Sequence, residues 1–331
     1  MTIIKLKEIY IMIKNILVLG ATGTQGMPAV RELVKNGFSV WGMSREGRAK
    51  AAKLIEAGAR VVNGDLFDEE SLYRGMKDMD GVLFIPPIAT SGNPIPELTV
   101  GLNVVHATER AEIKYLVHTS VDRAGDQEFF KGWGVDFGYN YRMYWLAKSQ
   151  VIDYVKASNI PYWTIFKPAF IMEDFIPPMV ASSFPTLKKR LIATAIRPDR
   201  KMSMIGMEDQ GKLIAQAFAE PERFQKKEIP LAGDRLTMGE IADVISAITG
   251  KTIEAKTLSA EEFRSSEDIV RAFHDVFGDF AADALSGTVQ NYEWDNNDGY
   301  TATPKDAEEY GVKLSTFREW AERHKTDFVI E

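Results

Sequence analysis

The chain of 331 residues predicts an α/β fold, a doubly wound parallel Rossmann sheet with a smaller C-terminal α/β substrate region. Three observations predict it. Ile16-Leu17-Val18-Leu19 is a short unbroken apolar run, the pattern of a strand buried on both faces. It passes directly into a glycine-rich turn at residues 20–26 and then a helical pattern at 27–34, where Pro28 is accepted in the first turn. Strand and helix signals keep alternating to residue 170, with turn residues at each strand exit.

The turn has the spacing G-x-x-G-x-x-G. Glycines let the backbone turn tightly and approach a pyrophosphate, and free N–H groups at the following helix N-terminus favour the anion. Gly20, Thr22, Gly23, Thr24, Gln25 and Gly26 are therefore the candidate phosphate cradle. Gly37 ends the first helix, and residues 38–43 form the second strand. Ser44 and Arg45 stand at its exit. An acidic residue there would bind the ribose hydroxyls of NAD, whereas an arginine suits the 2′-phosphate of NADP, so the pair points to NADP(H). Glu46, directly after, is a neighbour of the wrong sign.

Residues 48–57 read as a helix and 60–64 as the third strand. Asp65 and Leu66 form its exit, and Asp65 is placed either to meet an adenine edge or to cap the next turn. Asp68-Glu69-Glu70-Ser71 opens a short helix with acidic residues at its start. Residues 81–85 are the fourth strand, ended by Pro86 and Pro87, and the loop to Pro96 is rich in turn formers. Residues 97–110 read as a helix and 114–119 as the fifth strand. Ligands of such sheets sit beyond the carboxyl ends of the strands. Gly20, Arg45, Asp65, Pro86 and Ser120 all fall there.

Ser120 ends the fifth strand, and Tyr144 and Lys148 lie four apart on the next helix, on one face. A phenol with a pKa near ~10 is a poor acid at neutral pH, and an adjacent cation lowers that value. With the serine polarising a carbonyl oxygen, the three can deliver a proton while a nicotinamide supplies hydride. A Y-x-x-x-K pair also arises on helices by chance. Between them, residues 129–141 are rich in aromatics and glycines. Trp133 and Phe137 there form either a wall for a planar apolar substrate or a loop packed on the core.

Residues 160–166 are the sixth strand, with Pro168 in its exit. Phe170, Met172 and Phe175 are spaced to line a pocket or to join the core, and Glu173 and Asp174 read as solvated or capping. Residues 176–205, with four prolines and a Lys188-Lys189-Arg190 run, show weak periodicity and suggest a mobile lid or a solvated face. Further on, 207–219 is helical and 228–231 a short strand. Thr237 with Glu240 and Ser259 with Glu262 form capping boxes. Residues 283–305 read as polar and turn-rich, and 314–324 as a final helix. The expected organisation is an N-terminal extension (1–13), a nucleotide-binding domain (14–170) and a C-terminal substrate region (171–331). Some segments of the last are expected to return to the Rossmann sheet.

Composition narrows the function. A net charge of −7 argues against a direct nucleic-acid partner. With no cysteine, disulfides, thiol nucleophiles and thiolate metal sites are absent, which fits a cytoplasmic protein. The four histidines, His106, His118, His274 and His324, have no ligand spacing, so no metal site is expected. No apolar run reaches membrane-spanning length, and the charged N-terminus is a poor signal peptide. A small-molecule substrate and a monomer or homodimer are the expected partners.

The chain resembles the NmrA-like group of atypical short-chain dehydrogenases/reductases from residue 14 to 324. The specific pieces are GATGTQG (20–26), Ser44-Arg45, GARVVNGDLFDEESL (58–72), AKSQVIDYVKASNIPYWTIFKPAFIMEDF (147–175) and LAGDRLTMGEIA (231–242). The resemblance implies NADP(H), a Rossmann domain and a C-terminal substrate region. It places Lys148 at the family's conserved lysine, the turn holding Pro168 near the nicotinamide, and Ser120 and Tyr144 at the catalytic serine and tyrosine of the wider superfamily. Some members reduce quinones, dyes or other carbonyl and imine-like compounds. Others lack the tyrosine and act as NADP(H)-sensing regulators. Tyr144 favours an NADPH-dependent reductase of a small apolar carbonyl or quinone, with Lys148 lowering the phenol's pKa and binding ribose. A non-catalytic NADP(H) sensor is the alternative; an isomerase or dehydratase also remains open, because a fold does not fix a reaction.

Overall fold

The computed structural model describes residues 12–45, 50–87, 95–134, 137 and 139–331. The extension at 1–11, Glu46, the start of the second helix, most of the 88–96 loop and parts of the aromatic segment lie outside the described residues. In the first half, β1 (Asn15–Leu19), α1 (Gly26–Lys35), β2 (Ser39–Ser44), α2 (Lys50–Glu56), β3 (Arg60–Asn63) and α3 (Glu69–Met76) are followed by β4 (Gly81–Phe84), α4 (Ile95–Arg110), β5 (Tyr115–Thr119), α5 (Tyr139–Ala157) and β6 (Tyr162–Pro168). Next come β7 (Phe170–Ile171), α6 (Val180–Ser183), β8 (Leu191–Thr194), β9 (Met202–Ile205), α7 (Met207–Ala219), α8 (Pro221–Phe224) and β10 (Lys227–Leu231). The chain ends with β11 (Asp234–Leu236), α9 (Met238–Thr249), β12 (Glu254–Thr257), α10 (Ala260–Ser265), α11 (Glu267–Phe277), α12 (Ala281–Asn297) and α13 (Phe317–Arg323).

The main sheet has seven strands in the order β10-β6-β5-β4-β1-β2-β3, all parallel. Side chains alternate between faces. Ile16 and Val18 join Val30, Leu33 and Ile214 on one face, while Leu17 and Leu19 join Val100, Val104 and Trp145 on the other. Helices therefore cover both faces, as continuous apolar strands require. The strand order reverses between β1 and β4, and the crevice there is the ligand position of such sheets.

Two glycines fix the first turn. Gly20 has φ +82°, and a Cβ on it would lie 2.6 Å from the Ile85 carbonyl oxygen. A Cβ on Gly26 would sit inside the van der Waals shell of the Gly20 carbonyl oxygen, so this glycine lets α1 start against the turn. Asp68 caps α3 by accepting from Glu70 and Ser71 N–H, and both expected capping boxes form.

The C-terminal region has its own apolar cluster, including Phe175, Phe184, Met204, Ile241, Phe273 and Trp320. β10 leaves this region and joins the main sheet beside β6. Two expectations are corrected. Residues 176–205 carry two strands rather than an irregular lid: β9 pairs with β7 and β11, and β8 with β12. These strands are four residues long, too short for a sequence period to stand out, and long-range pairing fixes them. Residues 283–305 fall largely in α12, whose buried Leu285, Val289 and Tyr292 recur at helical spacing among polar neighbours.

Candidate functional site

Two cavities open where β1, β2, β3 and β4 end. One, of about 310 Å³, is lined by Gly20, Thr22, Gly23, Thr24, Gln25, Leu66 and Pro86, with Ile171 and Met179 opposite. The other, of about 230 Å³, is lined by Gly20, Thr22, Ser44, Arg45, Asp65 and Leu66. Gly20, Thr22, Leu66 and Pro87 belong to both, so together they form one groove across the strand ends. Gly23 N–H closes the turn on the Gly20 carbonyl at 3.0 Å. Gln25 Oε1 accepts from Gln210 Nε2 at 3.0 Å, tying the cradle to α7.

Arg45 is exposed and makes no ion pair among the described residues, while Ser44 Oγ reaches only the Arg45 carbonyl at 3.4 Å. Asp65 does both things its position allowed. It lines the groove, and its Oδ1 accepts from Phe67 N–H at 3.1 Å. Pro168 pairs with Leu231 of β10, its carbonyl accepts from Asp122 N–H at 2.9 Å, and it is buried. Gly26 acts through packing, as described above.

A third cavity, of about 420 Å³, lies beyond β6 and has Tyr141, Tyr144, Phe170, Phe184, Tyr292 and Tyr300 in a wall that also carries aliphatic and polar side chains. Residues 170–184 stand between it and the groove. Ile171 and Met179 face the groove, whereas Phe170, Asp174, Ser182, Ser183 and Phe184 face the third cavity.

Tyr144 lines this cavity, and its hydroxyl makes no hydrogen bond among the described residues. Lys148 Nζ lies 5.5 Å from the Tyr144 ring centroid, so one turn of α5 brings the pair together. Lys148 is also buried against Glu97 of α4, Nζ to Oε1 2.8 Å. The expected drop in the phenol's pKa does not follow. Burial, the largest influence, raises it, Lys148 pulls it down, and Glu97 pushes it up again; the net direction is upward. Burial works against the Lys148 cation, but Glu97 and Tyr144 hold its pKa above the ordinary value. Ser120 is buried at the end of β5, its Oγ without a partner, so no hydrogen bond joins it to Tyr144.

The aromatic segment divides. Phe130 is core, edge-on to Trp145 at 4.9 Å and to Trp294 at 5.5 Å, and Trp133 packs on Phe130 and Phe137. Phe137 stacks on Tyr141, and Tyr141 on Tyr144, at centroid distances of 5.4 and 6.1 Å. Phe137 and Tyr141 line a neighbouring cleft. Phe170 lines the third cavity, but Phe175 does not: its ring is fully buried, stacked on Phe184 at 4.3 Å and edge-on to Phe317. It backs the wall, and an apolar ring at that spacing meets core before cavity.

Glu173 is not solvated, and Asp174 is half-buried in the third cavity's wall. Glu173 is buried, accepting from Met207 N–H at the start of α7 and from Trp320 Nε1. Burial pushes the Asp174 carboxyl up to about 7. Asp295 of α12 is buried in the same cavity and is also pushed up to about 7. Glu97, Asp295 and Tyr300 escaped the sequence reading because their neighbours are distant in the chain. The one available signal for Glu97 was an acid on the inward side of a helix. Asp122 Oδ2 accepts from Thr301 and Ala302 N–H at 2.7 and 2.8 Å, which holds the segment bearing Tyr300 to the exit of β5.

Among the described residues no group of three or more His, Cys, Asp or Glu side chains is placed to hold a metal ion, and no helix is long and apolar enough to cross a membrane. His118 is buried, stacked on Phe84, and burial drives its pKa down to about 3.

A seven-stranded Rossmann sheet with a groove at its switch point defines a nucleotide-binding type of fold. The chain belongs to the NmrA-like family, whose model matches residues 12–312. It is 26% identical over 280 residues to an NmrA-like family domain-containing protein of Dictyostelium discoideum, covering 81% of this chain and 90% of that one. It is also 26% identical over 350 residues to the NmrA-like family domain-containing oxidoreductase notA of Aspergillus sp. (strain MF297-2), covering 94% and 97%. The structure of Citrobacter sp. triphenylmethane reductase complexed with NADP(H) superposes with a TM-score of 0.73 at 19% identity, covering 93% of this chain and 99% of that one. The NADPH-dependent quinone oxidoreductase QOR2 of Escherichia coli superposes with a TM-score of 0.68 at 19% identity, covering 93% and 98%. At such identities the likeness is one of fold.

Proposed function

We propose that the chain is an NADP(H)-dependent oxidoreductase acting on a small, largely apolar molecule held in the third cavity. The observation that carries this reading is the placement of Tyr144. Tyr144, whose hydroxyl makes no hydrogen bond among the described residues, lines a ligand-sized cavity, Lys148 stands behind it, and the residues that separate this cavity from the nucleotide groove are one short segment, 170–184. Relatives named as oxidoreductases and neighbours solved with NADP(H) support it.

The groove fits the cofactor chemically. The cavity lined by Gly20, Thr22, Gly23, Thr24 and Gln25, ahead of α1, would admit a pyrophosphate. Arg45 and Ser44 would hold a 2′-phosphate, and Asp65 and Leu66 would flank the adenine. When bound, the cofactor supplies or accepts a hydride. The protein's part is protonic and steric. Burial keeps the Tyr144 phenol protonated at neutral pH, so a donor is present, and Lys148 stabilises the phenolate that remains after transfer. Lys148 is itself fixed by Glu97. Ser120 is buried and lines none of the three cavities described above.

The test is NADPH oxidation with a panel of quinones, aldehydes and cyclic iminium compounds, run with the native chain and Tyr144→Phe. Turnover that collapses in the variant while NADPH binding persists supports the assigned donor. Equal turnover in both moves the proton step away from Tyr144. Tight NADPH binding with no turnover across the panel favours a cofactor sensor.

A further inference from the structure

We infer that Gln210 of α7 is a positioning residue for the nucleotide: it holds the side-chain amide of Gln25 by its oxygen and leaves the amide nitrogen to donate to the pyrophosphate. This deepens the NADP(H) reading of the groove given above and rests on it.

Gln25 stands at the N-cap of α1, but its side chain makes no capping hydrogen bond there. Its Oε1 instead accepts from Gln210 Nε2 at 3.0 Å. Gln25 is half-buried and lines the groove with Thr22, Gly23 and Thr24. A primary amide has an acceptor end and a donor end. With Oε1 engaged by α7, Nε2 is the end left for a ligand, and it has no hydrogen-bond partner among the described residues. That polarity suits a pyrophosphate. A donor gains a charge-assisted hydrogen bond, whereas an amide oxygen in the same place would repel the anion.

Packing alone does not account for a glutamine at position 210. The residue is 1% exposed, its own Oε1 is buried without a partner, and among the described residues its side chain makes one hydrogen bond, to Gln25. Burying an unpaired amide oxygen costs free energy that an apolar side chain of the same length would not. The backbone that carries Gln210 is fixed on both sides. Met207 N–H donates to Glu173, and Asp209 Oδ2 accepts from Ser315 N–H at 2.5 Å. Gly211 lies so close to α1 that a Cβ on it would stand 3.1 Å from the Pro28 carbonyl oxygen. The first turn of α7 is thus held against the start of α1, and the donor it offers to Gln25 has a set place.

The experiment titrates the full chain with NADPH and with adenosine 2′-monophosphate, which lacks the pyrophosphate. Gln210→Met keeps the length and removes the donor. It should weaken NADPH about three- to tenfold and leave adenosine 2′-monophosphate within about twofold. In a Gln25→Met background the same change should leave NADPH within about twofold, because the amide it positions is gone. An equal loss for both nucleotides, or an equal NADPH loss in both backgrounds, means that Gln210 acts through packing and overturns the inference. Unchanged NADPH binding by folded Gln210→Met overturns it too. Near-ultraviolet circular dichroism checks each fold, and if Gln210→Met is unfolded, Gln25→Glu decides. With an acceptor in place of the donor, NADPH should bind at least about tenfold more weakly than to Gln25→Met, and equal affinity in these two overturns the inference. No NADPH binding by the native chain removes the nucleotide reading itself, whereas NADPH binding that ignores Gln210 removes this inference alone.

Discussion

Lys148 Nζ lies 2.8 Å from Glu97 Oε1, and both side chains are buried. This pair joins α4 to α5 directly behind Tyr144. Breaking a buried ion pair from one side leaves a charge with no compensation, typically at a cost of about 3–5 kcal/mol. Glu97→Gln should therefore destabilise the chain by roughly that much in denaturant unfolding. Glu97→Gln combined with Lys148→Met should cost less than the sum of the two single changes. A loss in Glu97→Gln below about 1 kcal/mol would mean that the pair is solvated in solution.

Arg45 is exposed and free of ion pairs among the described residues, at the rim of the groove. A charge-assisted contact to a 2′-phosphate contributes about 1.5–3 kcal/mol. Arg45→Ala should weaken NADPH binding about tenfold to a hundredfold and leave NADH binding nearly unchanged. Titrations of both nucleotides measure this. An equal loss for both would place Arg45 outside the 2′-phosphate site.

Gly26 has no room for a Cβ against the Gly20 carbonyl. Gly26→Ala should shift the start of α1, lower stability by about 1–3 kcal/mol and weaken nucleotide binding. Gly125 has no atom within 4 Å of an added Cβ, but its φ is +101°. Gly125→Ala is the comparison: backbone strain should lower its stability while nucleotide affinity stays at the native value.

Asp174 and Asp295 sit at about 7, against about 3.9 when unfolded. The unfolded chain thus binds fewer protons at these sites than the folded chain between those values. Their contribution to stability is complete below about pH 4 and is lost as pH rises to 7. Without ligand, Asp295→Asn should narrow the fall in Tm between pH 5 and pH 8 relative to the native chain. The difference should be on the order of 2 kcal/mol at pH 8. An unchanged fall would show that Asp295 is hydrated. His118, driven down to about 3, acts in the opposite direction, losing stability as pH drops below about 6.5, but it does so equally in both proteins and cancels in the comparison.

The parts legible in the sequence are those set by neighbours along the chain. β1, the glycine turn and α1 announce themselves because an apolar run, a turn and a helix period adjoin one another. The same locality placed Arg45 and Asp65 at strand exits, and the groove gathers them. The capping boxes need only residues three apart. Tyr144 and Lys148 came together for the same reason, being one helical turn apart.

What was not legible depends on long-range contact. Lys148 was read as a cation lowering the Tyr144 pKa; burial, helped by Glu97 51 positions earlier, outweighs it and the phenol's pKa rises. Asp174 looked like a solvated acid because nothing local says that it shares a cavity wall with Phe170, Phe184 and α12. Phe170 and Phe175 have the same chemistry, yet only the first meets the cavity. The strands at 191–194 and 202–205 find partners far along the chain, and no local period marks them.

The most direct test of the account is isotope transfer. NADPH carrying deuterium at each C4 position in turn is incubated with the native chain and the aldehyde and iminium acceptors of the panel, whose products keep the label on carbon, and each product is weighed by mass spectrometry. The account expects one deuterium in the product from one of the two labelled cofactors and none from the other. Product free of deuterium from both, or cofactor bound with no acceptor reduced, would contradict it.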